Sequence, residues 1–539
     1  MSASDTRSTT VAPVRLVALL AAGPVAFLGI FYLWPVATLV GEVVRGSTVA
    51  DTLARGGLWQ VVWFTTWQAL VSTVATVLAG LAPAWLLARW SFPGRRFLAA
   101  VVVVPFLLPT VVVGAAFAAL LPDSLLGTAT AVVIAHVYFN ISVVVRLVGA
   151  LWEQLPVDLT AAARTLGASP WQATRTVTLP LLRPAVASAA MVTFLFTFTS
   201  FGVVAILGGP ANATLEVEIA RRATGLGDVG GAAVLSLLQL GLLAAGLAVG
   251  SIVQRRAAAR WAVAPVPRQR PRTTAQRFGV GALAAATAAA TLVPIVALAV
   301  SSLRTRRGWS LAGWKALWDG TSASRPGSGV AVDVWGALGA SLRFAFAATV
   351  VSVVVGGLAT LAIGAARRRG RLLDVGLMLP LATSAVTIGF GMLITFDRAP
   401  FDWREEPWLV PLGHALVAVP FVVRAALPVL SARPTTWLDA AATLGASPTR
   451  AWWEVDVQLL RTPLVVGGAF AAAISLGEFG ATTLLSRTGQ ETLPTAIVRL
   501  LGRAGDIPRA EASALAVVLA VACTVLLLAA SGGRDARRA

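Results

Sequence analysis

Long apolar stretches alternate with short polar ones along the whole chain. A helix of about 20 apolar residues spans the hydrocarbon core of a bilayer. On that measure the pattern predicts about twelve spans, near 16–44, 58–88, 97–121, 126–150, 183–208 and 232–254, then 279–302, 335–366, 372–396, 408–431, 462–486 and 511–530. Several contain Gly or Pro, which membrane helices tolerate where neighbours satisfy the freed backbone groups. The fold class is all-α, a polytopic membrane bundle.

The polar loops carry a repetition. Thr165 to Pro170 read TLGASP, and Thr443 to Pro448 read TLGASP again, 278 positions later. The same offset carries His136 onto His414, Arg146 onto Arg424, Pro156 onto Pro434, Arg183 onto Arg461, Phe201-Gly202 onto Phe479-Gly480, Thr214-Leu215 onto Thr492-Leu493 and Arg221 onto Arg499. Earlier in each half the offset is 275, from Pro105 to Pro380 and from Gly114 to Gly389. One register held so long marks an internal duplication, a common feature of transporters. The pattern divides the chain into a first repeat (1–254), an Arg- and Pro-rich linker (255–278) and a second repeat (279–539). Six spans per half make the repeats parallel, so both TLGASP loops face one compartment.

Composition agrees with a membrane protein: 57% of residues are hydrophobic, 12% are charged, and mean hydropathy is +0.80. Trp34, Trp63, Trp85, Trp90 and Trp408 fall near predicted span ends, where interfacial Trp collects. The net charge of +19 does not point to nucleic acid, because the arginines fall in alternate loops. Arg7 and Arg15 precede the first span, and Arg89, Arg95 and Arg96 follow the second. Arg146, Arg164, Arg175 and Arg183 surround the first TLGASP. Arg255, Arg256, Arg260, Arg268, Arg270, Arg272 and Arg277 fill the linker. Arg367 to Arg369 and Arg371 follow the eighth span, and Arg534, Arg537 and Arg538 end the sequence. Arg-rich loops face the cytoplasm, which places both termini, the linker and both TLGASP loops inside. Arg304, Arg306 and Arg307 run against this pattern. The first apolar segment exceeds a signal peptide's core and reads as a retained helix. Cys523, the single cysteine, reads as a small apolar residue of the last span.

The repeated loop has a mechanical reading. Leu159 to Leu166 is rich in the helix formers Ala and Leu, and Gly167 can take the left-handed conformation that ends a helix. Ser169 suits an N-cap, Pro170 the first helical position, and Gln172 the capping-box partner. A helix, a tight turn and a second short helix to about Thr178 follow. The second copy repeats this with Asp439 to Leu444, Gly445, Ser447 as cap and a helix from Pro448 to about Val455, but Arg450 replaces the capping Gln. Small residues (Ala161, Ala162 and Ala163; Ala440, Ala441 and Ala442) permit close helix contact. The same hairpin at two sites implies a two-fold partner.

These residues resemble the EAA loop of bacterial ABC-importer permeases: Glu-Ala-Ala, three residues, Gly, then a short helix ending in Leu-Pro. The first copy has Ala161-Ala162-Ala163, Gly167 and Leu179-Pro180; the second has Asp439-Ala440-Ala441, Gly445 and Val457-Gln458. The family's Glu is thus Ala161 in one copy and Asp439 in the other, and the closing Pro is missing from the second. The resemblance implies a type I (MetI-like) permease with no catalytic or metal site of its own. Two copies of a cytosolic ABC ATPase carrying ATP and magnesium would receive the hairpins. An extracytoplasmic binding protein would deliver the solute. The sequence contains no Walker A loop, since Lys315 follows Gly313-Trp314 without the glycine pattern. The location implied is the inner membrane.

For the solute, Ser200-Phe201-Gly202 through Leu207-Gly208-Gly209-Pro210, then Ala213-Thr214-Leu215-Glu216, resembles the thiamine permease, as does Glu478-Phe479-Gly480 followed by Thr492-Leu493-Pro494. Thiamine or a similar organic cation stands ahead of ferric iron, which double-length permeases also carry. Ser200, Phe201, Glu478 and Phe479 are candidate pathway residues. A carboxylate inside a span is expensive and often functional, though Glu478 reads equally as a cap at a helix break. His136 and His414 lack the ligand cluster a metal needs and read as packing or hydrogen-bonding residues. An ion-coupled secondary transporter is the rival class; it would carry ionisable groups inside several spans, and it has no use for twin hairpins. A membrane enzyme would need clustered acids or histidines, and the dense group Asp402, Arg404, Glu405 and Glu406 reads as a solvated outer turn.

Overall fold

The computed structural model describes residues 14–45, 52, 54, 57–257, 267–319, 332–366, 370–398, 401–403, 406–434, 436–487 and 489–535. Arg7, Arg260, Arg367 to Arg369, Arg404, Glu405, Arg537 and Arg538 lie outside them. The first half runs α1 (Val14–Leu28), a π turn (Gly29–Leu33), α2 (Trp34–Arg45), α3 (Leu58–Arg89), α4 (Arg95–Val101), α5 (Val104–Leu107), α6 (Thr110–Leu120), α7 (Ala129–Trp152), α8 (Val157–Thr165), α9 (Pro170–Ala173), α10 (Leu179–Phe198), α11 (Gly202–Leu207), α12 (Leu215–Ala220) and α13 (Val229–Ala257). The second half runs α14 (Thr274–Ser302), the hairpin β1 (Arg304–Thr305) and β2 (Gly308–Trp309), α15 (Ala312–Trp318), α16 (Val334–Ala366), α17 (Gly370–Met378) and α18 (Ala385–Thr395). It continues through the hairpin β3 (Asp397–Arg398) and β4 (Phe401–Asp402), α19 (Leu409–Ser431), α20 (Thr436–Thr443), α21 (Pro448–Ala451), α22 (Gln458–Gly477), α23 (Gly480–Leu485), α24 (Leu493–Leu501) and α25 (Asp506–Asp535).

Ten of the described helices are long and apolar enough to cross a membrane. The third and ninth expected spans differ from the reading above: each is two helices meeting at a sharp bend, 103° between Arg95–Leu107 and Thr110–Leu120, and 98° between Gly370–Ala382 and Ala385–Thr395. The causes differ. Pro109 forces Leu108 out of the helical region, to ψ 140°. In the second half Ser384 starts a new helix by accepting the Thr387 N–H at 2.9 Å.

Both bent pairs nevertheless join opposite ends of their bundle. Arg95, at the start of α4, pairs with Glu153 just past α7 at 3.1 Å, and Arg268 of the linker reaches the same carboxylate at 2.9 Å. At the other end, the last turns of α6 and α14 and the first turn of α25 line one cavity of about 550 Å³. In the second half, Gly370 lies against Ile363 of α16, while Phe396 past α18 stacks on Trp403, which meets Trp408 at the start of α19.

The described residues cluster into two compact units that cut across the sequence halves. The larger holds 42–337 and 492–524; the smaller holds 1–41, 338–491 and 525–539. In the larger unit α3, α7 and α10 pack mutually, with α14 laid on α6, α3 and α4. Tyr138 of α7 donates its hydroxyl to the Thr291 carbonyl of α14 at 3.1 Å. In the smaller unit α19 packs on α22, α18 on α23, and α1 on α17. Phe27, Leu28 and Tyr32 join a core with Phe344, Met392, Phe396 and Val419, and the Tyr32 hydroxyl lies 2.6 Å from Thr383 Oγ1. Each unit therefore takes its leading helix from the opposite half of the sequence.

Candidate coupling hairpins and helix breaks

The two TLGASP segments fold alike. Helix α8 ends in a left-handed turn at Gly167 (φ 89°), and α20 in one at Gly445 (φ 80°). The Ala168 N–H reaches the Ala163 carbonyl at 3.1 Å and the Gly167 N–H reaches that of Arg164 at 3.0 Å. The corresponding bonds, Ala446 to Ala441 and Gly445 to Ala442, are both 3.0 Å. This six-to-one and five-to-two pairing is the Schellman stop, and it satisfies the last carbonyls of both helices.

The restart is where the copies part. Ser169 accepts the Gln172 N–H at 3.2 Å while the Gln172 side chain accepts the Ser169 N–H at 2.8 Å, a complete capping box. Ser447 accepts only the Arg450 N–H, at 3.3 Å; the Arg450 guanidinium turns to Glu454 at 2.8 Å. The second arm is longer than the sequence suggested. Instead of closing near Thr178 or Val455, it passes through a π turn (Thr174–Thr178 or Trp452–Val457) straight into α10 or α22. One 29-residue helical run from Pro170 to Phe198 thus joins hairpin to span, and another joins Thr449 to Gly477. Hairpin arm and transmembrane helix are one continuous helical element in each half.

Ala161, Ala162, Gly167, Ser169, Pro170, Asp439, Ala440, Gly445 and Ser447 are exposed; Ala163 and Ala441 are half-buried. Sequence reasoning passed over the two apical leucines. Leu166 and Leu444 are each 88% exposed, and Trp171, Trp437 and Trp453 are exposed beside them. The signal was present, since both leucines sit inside the repeated six residues. It also passed over the base of the second hairpin, where Arg433 pairs with the buried Asp456. The first half holds Leu155 and Thr178, both buried, at the same register positions.

The candidate pathway residues lie at helix breaks. Ser200 and Phe201 separate α10 from α11, and Glu478 and Phe479 separate α22 from α23. Ser200 and Phe479 are buried and Glu478 half-buried. The Glu478 carboxylate accepts the Ala481 N–H at 3.1 Å, so it caps α23. The two histidines are buried hydrogen-bonding groups. His414 Nδ1 lies 2.7 Å from Ser475 Oγ, and its Nε2 lies 2.8 Å from Thr482 Oγ1. His136 Nδ1 lies 3.3 Å from Ser72 Oγ.

Comparison with known proteins agrees with this geometry. Residues 76–261 match the family described as binding-protein-dependent transport system inner membrane component. The thiamine transport system permease protein of Brucella abortus is 28% identical over 538 residues, covering 93% of this chain and 94% of that protein. The thiamine transport system permease protein of Escherichia coli K12 is 25% identical, covering 87% of this chain and 88% of its own length. A Salmonella paratyphi A protein named for 2-aminoethylphosphonate transport is 33% identical over 198 residues, 36% of this chain and 72% of that protein. With a bundle of broken and straight apolar helices and a duplicated hairpin, the chain belongs to the binding-protein-dependent inner-membrane permeases of bacterial ABC importers, in a form that carries two repeats in one polypeptide.

Proposed function

We propose that the chain forms the translocation pathway of an ATP-driven importer for thiamine. The observation that carries the import mechanism is the pair of hairpins with one Schellman geometry, each continuous with a transmembrane helix. Each hairpin is received by one subunit of a separate ABC ATPase, with ATP and magnesium held there. Ala161, Ala162, Ala163, Gly167, Ser169 and Pro170 form one contact, and Asp439, Ala440, Ala441, Gly445, Ser447 and Pro448 form the other. Closure of the ATPase pair drives packed helices between two arrangements. The hairpins, the linker and both termini face the cytoplasm, and an extracytoplasmic binding protein supplies the solute.

Thiamine is favoured by similarity to thiamine transport permeases over nearly the whole chain. It is an organic cation, and Glu478 with the adjacent Phe479 offers a carboxylate and an aromatic ring of the kind a cation prefers. Ser200, Phe201, Glu478 and Phe479 are the pathway candidates. The test is reconstitution in liposomes with the ATPase and binding protein encoded beside the gene, measuring ATP-dependent uptake of labelled thiamine against ferric iron. Uptake that needs ATP and is competed by thiamine is expected. Transport without the ATPase would end the import reading, and iron uptake in place of thiamine would end the substrate reading. Glu478→Ala is expected to lower uptake while the assembled complex is still recovered.

A further inference from the structure

The two halves differ inside the bundle in a way their shared fold does not require. In the first half α3, α7 and α10 enclose Gln68, Ser72, His136, Asn140, Thr193 and Thr197, each no more than 1% exposed. Their bonds tie the three helices to one seam. Ser72 meets His136, the Asn140 amide donates to the His136 carbonyl at 3.0 Å, and the Gln68 amide donates to the Thr197 carbonyl at 3.1 Å. Four polar atoms in this seam nevertheless have no partner among the described residues: Gln68 Oε1, His136 Nε2, Asn140 Oδ1 and Thr193 Oγ1.

The second half replaces most of these groups, though Ser352 Oγ on α16 is likewise buried without a partner among the described residues. Gly80 approaches Val144 as Gly356 approaches Val422, which sets the register of α3 on α16. In that register Gln68 becomes Phe344 and Ser72 becomes Ala348, while Asn140 becomes Ala418 and Thr193 becomes Ala471. Ala418 and Ala471 pack with Val422 in one apolar cluster, so Asn140 and Thr193 stand at neighbouring positions of the first half. The histidine is kept, but its surroundings change. His414 Nε2 is satisfied by Thr482, whose counterpart is Val204.

A buried polar atom without a partner is costly, and water with two to four polar neighbours removes the cost. We propose that the seam between α3, α7 and α10 is an internal water site, holding ordered water against His136, Asn140, Gln68 and Thr193, and that His414, with both ring nitrogens bonded to side chains, stands without water in the matching seam of the second half. A bond to water re-forms as helices shift, whereas the two side-chain bonds of His414 fix its position. The first half can therefore move these three helices without stranding a polar group.

The chain contains two histidines, one in each seam and both buried, so they report on the difference directly. Pulsed X-ray radiolysis of the full chain in nanodiscs generates hydroxyl radicals from water, bound water included, and mass spectrometry then reads oxidation at each histidine. His136 is expected to be oxidised and His414 to be protected. In Asn140→Ala/Thr193→Ala, which copies side chains the second half already accommodates, His136 oxidation should fall toward the level of His414. Equal protection of both histidines, equal oxidation of both, or His136 oxidation unchanged in the double variant would each overturn the proposal.

Discussion

The left-handed glycines of the two hairpins permit a test whose size follows from geometry. Gly167 and Gly445 sit at φ 89° and φ 80°. A residue with a Cβ loses about 1–2 kcal/mol there. A methyl group at either position meets no atom within 4 Å, so Gly→Ala adds no clash and the cost is conformational alone. Because 1.4 kcal/mol is about tenfold in an equilibrium, each substitution lowers the equilibrium constant for forming the Schellman turn by roughly tenfold. Two independent turns multiply to about a hundredfold. Thermal stability of the isolated permease should hold, since neither apex packs on the bundle. In liposomes with the ATPase, Gly167→Ala/Gly445→Ala should lose most uptake and most solute-stimulated ATP hydrolysis. Asn tolerates the left-handed region better than Ala, so Gly167→Asn/Gly445→Asn should keep more of both. Wild-type uptake in the Ala pair, or Ala and Asn pairs that behave alike, would refute the reasoning.

Three further substitutions probe packing and charge. A Cβ on Gly80 would lie 2.6 Å from Val144 Cβ; Gly80→Leu should therefore destabilise by about 1–3 kcal/mol or more, read as a lower melting temperature, while Gly41→Leu, with open space around it, should not. Arg433→Leu leaves the Asp456 carboxylate buried without its cation, a loss of about 3–5 kcal/mol, and Arg433→Leu/Asp456→Thr, which copies Leu155 and Thr178, should recover most of it; a double variant no better than the single would show that the pair does not act as a unit. Burial disfavours ionised Glu218, but hydrogen bonds and charge from Arg221 and Arg222 outweigh it and hold the carboxyl below its ordinary value. That stabilisation is complete above the ordinary carboxylate range and is lost as pH falls through the lowered value. Melting curves should show a Glu218→Gln deficit at pH 7 that closes in acid; a deficit constant down to pH 3 would contradict the assignment.

What the sequence made legible was set by how local its causes are. The hairpin stops, the Ser169 cap and the incomplete second box follow from residues within six positions of each other, and they could be read from Gly167, Gln172 and Arg450. Apolar length gave most of the spans. The sharp bends were missed because apolar length says nothing of direction; Pro109 was a visible warning, while Ser384 becomes a cap only because the chain turns there. The continuity of hairpin and span was hidden by the polar residues of the π turns, which resemble a loop. The Arg433–Asp456 pair joins residues far apart in sequence, and no periodicity reports it.

The exchange of leading helices between the sequence halves also follows from long-range contacts, and it has a consequence for folding. In lipid, apolar surface supplies little force between helices, so packing and buried hydrogen bonds must hold them. Tyr32 of the first half finds its partner on Thr383 of the second, and Tyr138 of the first finds the Thr291 carbonyl of the second. If the chain is cut between Ala257 and Arg268, fragment 1–257 keeps both tyrosines and loses both partners, at about 1–3 kcal/mol for each buried hydroxyl. It also loses α14 from against α3, α4 and α6. Neither fragment alone should be monodisperse after purification, and the two expressed together should co-purify and regain the intact chain's melting transition. Tyr32→Phe and Tyr138→Phe should weaken recovery of the split protein more than they lower the stability of the intact one, because the covalent link offsets the lost bonds by mass action. Fragment 1–257 purifying alone with an undiminished transition would mean that each half folds on its own helices, and that the exchanged contacts contribute nothing to assembly.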